Sequence, residues 1–128
     1  MQLPISFNPD AQCPQFLTFL NTKLPDTSLR AIVQEIAGYL LTSSSRLQRA
    51  FLIIGKRRTG KSTLIKVLTA LLGKENVSNV SLDRLGDRFQ TAAIDGKLAN
   101  FSTELNVKTF VQDGILKAII TGDDVMGE

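Results

Sequence analysis

The apolar residues in the first third of the chain recur at the spacing of a helix. Residues 13–24 (CPQFLTFLNTKL) set apolar side chains among polar ones, with Pro14 near the start, where a helix tolerates it. Asp26 is a candidate N-cap for a second helix over residues 27–41. The apolar residues of that segment follow the i, i+3, i+4, i+7 rule: Leu29, Ile32, Val33, Ile36, Ala37, Leu40 and Leu41. The pattern predicts two amphipathic helices, followed by a serine-rich linker at Thr42–Arg46.

A different pattern begins at Ala50. Residues 50–54 (AFLII) are apolar without alternation, which is typical of a strand covered on both faces. Helical spacing returns from Leu64 to Leu72, and Gly73 is a natural helix end. The remaining segments predict two strands, in residues 76–82 (NVSNVSL) and 97–105 (KLANFSTEL), and two short helices, in residues 82–89 (LDRLGDRF) and 111–120 (VQDGILKAII). Strands that alternate with helices predict an α/β fold with a mostly parallel sheet.

We therefore expect a helical lead-in subdomain over residues 1–46 and an α/β core over residues 47–128. The chain has 128 residues, of which 43% are apolar and 21% charged, and these values fit one globular domain rather than a disordered segment. Its longest apolar run, residues 50–54, is too short to cross a bilayer, and its N-terminus lacks the pattern of a secretory signal. The expected location is the cytoplasm, without a membrane partner.

The residue types that are missing narrow the chemistry. Histidine is absent and Cys13 is the only cysteine, which excludes imidazole acid–base catalysis, an intrachain disulfide and a zinc site built from these residues. A bound metal needs oxygen ligands, and magnesium is the leading candidate. The net charge of +3 permits a polyanionic partner without arguing for one.

Residues 55–62 (GKRRTGKS) match the phosphate-loop pattern G-x-x-x-x-G-K-S/T at every position. Gly55 and Gly60 let the backbone turn so that successive N–H groups face phosphate oxygens. Lys61 brings a mobile positive charge to the β and γ phosphates, and the Ser62 hydroxyl is a ligand for magnesium. The helix that begins near Gly60 directs the positive end of its dipole at the same anion. The motif predicts binding of a nucleoside triphosphate and leaves open how its energy is used.

Glu104 is the candidate acidic partner of this loop. An ATPase with a phosphate loop needs a carboxylate at the end of a neighbouring strand, to order magnesium and polarise the attacking water. Glu104 follows the apolar end of the third predicted strand, although a strand-end glutamate can also be merely solvated. The usual signature has two acidic residues, and Thr103 stands at the first position here. We predict Lys61 and Glu104 as catalytic residues and keep Ser62 and Glu104 as candidate metal ligands.

With both motifs placed, the chain resembles the helicase domain at the C-terminal end of phage and plasmid DNA primases. That domain is a superfamily 3 helicase, an AAA+-like P-loop NTPase. Residues 7–20 (FNPDAQCPQFLTFL) look like the lead-in of this family, and residues 32–45 (IVQEIAGYLLTSSS) like the helix before its phosphate loop. Residues 95–105 (DGKLANFSTEL) resemble its Gly-Lys element and acidic strand, and residues 115–128 (ILKAIITGDDVMGE) the segment before its DNA-contacting hairpin.

The resemblance implies a three-layer P-loop NTPase core with a mostly parallel sheet, preceded by a helical subdomain. It implies an ATP-driven motor that unwinds DNA as a homo-hexameric ring, with ATP and Mg²⁺ as cofactors. Lys117 and Thr121–Asp124 would lie towards the DNA channel, although Asp123 and Asp124 would repel phosphate and suit a structural turn equally. The implied ATP-binding residues are Gly55, Lys56, Arg57, Arg58, Thr59, Gly60, Lys61, Ser62 and Thr63. The motif specifies no residue type at Lys56, Arg57 and Arg58. These three side chains either contact phosphate or DNA or are solvated.

The family pattern also extends past Glu128. Its polar sensor residue, the basic part of its hairpin and its arginine finger would follow there. In such sheets a later strand inserts between the phosphate-loop strand and the acidic strand. We therefore expect the chain to be the N-terminal part of a longer helicase domain that binds nucleotide weakly on its own.

Two other classes stay open at this point. A P-loop kinase for a nucleotide or small molecule would need an acceptor pocket and an arginine-rich lid, and the segment after Glu104 offers only Lys108 and Lys117. A non-catalytic nucleotide switch or assembly module is consistent with Thr103 in place of an acidic residue.

Overall fold

The computed structural model describes residues 2–42, 50–84 and 87–102. The order of elements within these ranges is helix α1 (Pro14–Lys23), helix α2 (Thr27–Leu40), helix α3 (Lys61–Leu72), a 3₁₀ turn (Lys74–Asn76), strand β1 (Val77–Ser78), a second 3₁₀ turn (Leu82–Arg84), helix α4 (Arg88–Ala92) and strand β2 (Ala99–Asn100). The linker from Ser43 and the predicted helix in residues 111–120 lie outside the described residues, and so does Glu104.

The two predicted helices of the lead-in are confirmed as α1 and α2. Asp26 is the N-cap of α2, and its carboxylate accepts a hydrogen bond of 2.8 Å from the N–H of Ser28. Such a cap contributes about 0.5–2 kcal/mol to helix stability, which explains why α2 begins directly after it. Neither helix contains a buried residue. No helix in the described ranges combines the length and the hydropathy needed to cross a bilayer.

The core of the described structure forms on one face of α3. Its buried apolar residues are Leu64, Leu68, Leu72, Val77 and Val80. The three leucines are four residues apart, so they share one face of the helix. Gly73 ends α3 as predicted, and its N–H donates to the carbonyl of Thr69 at 2.8 Å. This packing fixes α3, and the residues at the beginning of α3 are those of the phosphate-loop motif.

The buried side chain of Asn76 ties the end of α3 to the N-terminal segment. Its amide nitrogen donates to the carbonyl of Leu72 at 2.8 Å and to the carbonyl of Gln2 at 3.1 Å. The first residues of the chain therefore pack against the end of α3, even though they belong to the predicted lead-in.

The two described strands, each of two residues, lie within two of the predicted strands and pair in parallel, as predicted. Val77 lies opposite Ala99, and Ser78 opposite Asn100. Beyond the last pair, the side-chain amide of Asn100 continues the hydrogen bonding between the two strands. Its Oδ1 accepts from the Ser78 hydroxyl and from the N–H of Val80, both at 2.8 Å, and its Nδ2 donates to the Val80 carbonyl at 3.0 Å.

The segment between the strands differs from its prediction in one respect. Residues 82–89 were expected to form one short helix, and the structure has a 3₁₀ turn at Leu82–Arg84 followed by α4. Asp87 explains why helix α4 begins at Arg88. Its carboxylate accepts a hydrogen bond of 2.9 Å from the N–H of Phe89, so Asp87 is the N-cap of α4.

The prediction of a strand at residues 50–54 is wrong for the structure as described. The segment has no regular secondary structure, and Leu52 and Ile54 are 68% and 84% exposed. A strand is stabilised by backbone hydrogen bonds to a neighbour, and no described residue supplies them to this segment. The ring of Phe51 has an edge contact with Tyr39 of α2, with centroids 6.1 Å apart. The three-layer core with a larger parallel sheet stays a prediction.

We predict that Asn100→Ala destabilises the fold by about 1–3 kcal/mol, because it leaves the Ser78 hydroxyl and both backbone groups of Val80 without a partner. The free energy of unfolding, measured by denaturant titration, tests this. Asn79→Ala is the matched control, since Asn79 is exposed and should change the stability by roughly 0.5 kcal/mol or less. Equal effects of the two substitutions would contradict the assigned role.

Candidate functional site

The phosphate-loop motif forms a tight turn that leads directly into α3. Arg58 has a φ of 60°, the one positive value at a non-glycine residue in the described ranges. Gly60 has a φ of 92° and is the N-cap of α3. A left-handed conformation costs a residue with a side chain about 1–2 kcal/mol. Contacts within the loop, rather than local preference, must therefore hold Arg58 in this conformation.

The side chain of Lys61 supplies these contacts. Its ammonium group donates to the carbonyl oxygens of Gly55 at 2.6 Å and Lys56 at 2.5 Å, and lies 3.1 Å from the hydroxyl of Thr59. The Thr59 hydroxyl itself donates to the carbonyl of Lys56 at 2.8 Å. An ammonium group has three N–H donors, so the loop occupies all of them. The positive charge of Lys61 is thus placed inside the turn.

Gly55 leaves room for the hydroxyl of Thr59. A Cβ atom at this position would lie 2.9 Å from Thr59 Oγ1 and 3.5 Å from Lys61 Nζ. A side chain at this position would therefore push the Thr59 hydroxyl away, while the ammonium group of Lys61 would stay within ordinary contact distance.

The N-terminus of α3 presents N–H groups to this loop. Gly60 has no side chain to cap the helix, and its carbonyl accepts the first intrahelical bond, from Leu64 at 3.0 Å. The N–H groups of Lys61, Ser62 and Thr63 have no acceptor among the described residues, and the first turn contains no acidic residue. Such N–H groups, together with the helix dipole, attract an anion.

A cavity of about 290 Å³ lies at this end of the helix. It is lined by Arg57, Arg58, Thr59, Gly60, Lys61, Ser62 and Thr63. Both arginines are exposed and form no ion pair within the described ranges. The lining thus combines guanidinium, ammonium, hydroxyl and N–H donors without a carboxylate. This donor set fits a polyphosphate.

The described residues supply only some of the ligands that a magnesium ion needs. The hydroxyl of Ser62 is exposed at the second position of α3 and can serve as one ligand. No group of three or more acidic, cysteine or histidine residues that could hold a metal occurs among the described residues. Mg²⁺ usually keeps several waters and is bound by one or two carboxylates together with substrate phosphates. The residues present therefore fit a magnesium ion that arrives with the nucleotide.

The carboxyl end of β2 carries a second polar feature. Ser102 Oγ is buried and has no hydrogen-bond partner among the described residues. A buried hydroxyl without a partner costs free energy, so its presence calls for a reason. Ser102 is followed in the chain by Thr103 and Glu104, which lie outside the described residues, as do Lys108, Lys117 and Thr121–Asp124.

The structure brings seven of the nine predicted loop residues to one cavity, and two residues of α1 lie beside the loop. Gly55 and Lys56 do not line the cavity, and their carbonyl oxygens hold Lys61. Phe19 and Lys23 of α1 lie against Gly60, on the side where a Cβ atom would be. The sequence placed Phe19 on the apolar face of a helix, but that pattern does not reveal what the face contacts.

A protein-family model described as a family of unknown function, DUF5906, matches residues 53–128, which is more than half of the chain. The matched region includes the phosphate loop, both described strands and Glu104. No curated protein and no solved structure matches the chain.

Proposed function

We propose that this chain, which belongs to the DUF5906 family, is the ATP-binding part of a DNA helicase motor of the superfamily 3 type. The observation that carries the proposal is the loop that encloses the Lys61 ammonium group at the N-terminus of α3, lined by cations and N–H donors and by no carboxylate. ATP and Mg²⁺ are the proposed ligands. DNA is the proposed partner, and a homo-hexameric ring is the proposed assembly.

The loop residues bind and orient the phosphates. Lys61 exchanges its bonds to the carbonyl oxygens of Gly55 and Lys56 for bonds to β- and γ-phosphate oxygens. Because phosphate oxygens are charged and carbonyl oxygens are not, the new hydrogen bonds are the stronger ones. Arg57 and Arg58 line the same cavity and add positive charge close to the anion.

Ser62 and Glu104 are the residues proposed for hydrolysis. The Ser62 hydroxyl and the Glu104 carboxylate would hold magnesium, and Glu104 would also accept a proton from the attacking water. Magnesium, when bound with the nucleotide, neutralises charge on the phosphates. Thr103 stands where the family pattern has its first acidic residue, so this position supplies no carboxylate.

The motor class predicts a particular place for the acidic strand in the sheet. β2 leads towards Glu104 and pairs with β1, and within the described ranges it does not pair with residues 50–54. In the helicases that the chain resembles, another strand separates the phosphate-loop strand from the acidic strand. The exposed apolar residues of the segment, Phe51 to Ile54, suit a partner strand of this kind.

Binding of ATP depends on Lys61 in this account. We predict that Lys61→Ala weakens binding of a fluorescent ATP analogue with Mg²⁺ by about 10- to 100-fold, the equivalent of losing charge-assisted hydrogen bonds. Titrations of the wild-type chain and the variant measure this loss. Lys66→Ala, an exposed lysine of the same helix, is the control and should bind as the wild type does. Equal binding by all three proteins would contradict the role of Lys61.

Hydrolysis separates the motor from the two other classes. We predict that the full-length protein releases phosphate from ATP faster when single-stranded DNA is added, and that its Glu104→Gln variant binds ATP but no longer releases phosphate. A phosphate-release assay with and without DNA measures both effects. Transfer of phosphate to a small acceptor would instead indicate a kinase. Binding without hydrolysis by the full-length wild-type protein would indicate a non-catalytic module, and either result would overturn the motor.

A further inference from the structure

Helix α1 packs against the phosphate loop at the point where the loop becomes α3. A Cβ atom built on Gly60 would lie 2.9 Å from both Cε2 and Cζ of Phe19, and 3.2 Å from Cγ of Lys23. Phe19 and Lys23 are four residues apart and therefore share one face of α1. The aromatic ring and the aliphatic stem together fill the space beside Gly60.

Gly60 is the residue whose conformation decides where the helix N–H groups point. Its φ of 92° is left-handed, and it is the last residue before the N–H groups of Lys61, Ser62 and Thr63. Glycine has the widest choice of backbone conformations of any residue, so nothing intrinsic to Gly60 keeps it at this value. A ring in van der Waals contact limits that choice.

We propose that Phe19 of α1 is a positioning residue of the nucleotide site, a role that rests on the proposed function of the loop. Its ring holds Gly60 in the left-handed conformation and thereby presets the N–H groups at the start of α3 for phosphate. A loop that is already ordered loses less conformational entropy when the ligand binds. The contact therefore raises the affinity for nucleotide without touching it.

The surroundings of Phe19 fit this role. Its ring stacks on that of Phe16, with centroids 6.2 Å apart and planes at 18°, and both residues are only partly exposed. The stack limits the movement of Phe19 on its own helix. Lys23, the second contact, also brings a positive charge to the edge of the loop, and it forms no ion pair within the described ranges.

The contact couples α1 to the nucleotide in both directions. Binding free energies are reciprocal, so if docking of α1 strengthens phosphate binding, phosphate binding must stabilise the docked α1 to the same extent. The stability of docked α1 then depends on whether nucleotide is bound to the loop.

Titration of four proteins with a fluorescent ATP analogue and Mg²⁺ tests the role of Phe19. Phe19→Ala should weaken binding by about 5- to 30-fold, the effect of leaving one backbone residue to be ordered on binding. Phe19→Leu, which keeps apolar bulk against Gly60, should recover most of the affinity. Leu17→Ala truncates a 53% exposed apolar residue of the same helix and should bind as the wild type does.

Two results would overturn the role of Phe19 alone: wild-type affinity in Phe19→Ala, or equal losses in Phe19→Ala and Leu17→Ala. A wild-type chain that binds no nucleotide would instead contradict the proposed function, and the role of Phe19 with it. A second experiment, hydrogen exchange, uses only the wild-type chain and so does not depend on a variant that folds. Adding the ATP analogue with Mg²⁺ should slow exchange in the last turn of α1 and leave α4 unchanged, and unaltered exchange in α1 would refute the coupling.

Discussion

The hydrogen bonds of the Lys61 ammonium group to its own loop are the interaction on which the site depends. They place a full positive charge against the carbonyl oxygens of Gly55 and Lys56, and a Cβ atom at Gly55 would crowd the Thr59 hydroxyl beside them. The same ammonium group is the one that a phosphate would attract. A bound phosphate would therefore take over the same donors that hold the loop together.

Helix α3 connects this loop to the hydrophobic core. Leu64, Leu68 and Leu72 bury one face of the helix, which fixes its axis, while its N-terminus stays open at the cavity. Packing thus fixes the axis of α3, and the conformation of Gly60 fixes how the loop meets the first N–H groups of the helix. The contact of Phe19 with Gly60 extends the supporting structure to α1, a helix some forty residues earlier in the chain. The core, the loop and helix α1 therefore all hold the same short segment of backbone, the beginning of α3 at Gly60 and Lys61.

Features that depend on nearby residues could be predicted from the sequence. The Asp26 cap, the end of α3 at Gly73 and the position of Lys61 at the start of a helix all follow from local chemistry, and the structure confirms them. Features that depend on distant residues could not. Residues 50–54 have the composition of a buried strand, but only a partner can make them one. The contact between Phe19 and Gly60 likewise leaves no local trace, because any apolar residue at that position would continue the helical pattern.

The most direct test of the account is an NMR titration that follows the backbone N–H signals of the chain. Mg²⁺–ATP should cause its largest shifts at Lys61, Ser62 and Thr63, where the N–H groups lack an acceptor among the described residues, and inorganic triphosphate should shift the same signals. Adenosine, which carries no phosphate, should leave them unchanged. Shifts located elsewhere, or equal shifts with adenosine, would contradict the claim that this loop and helix end recognise phosphate.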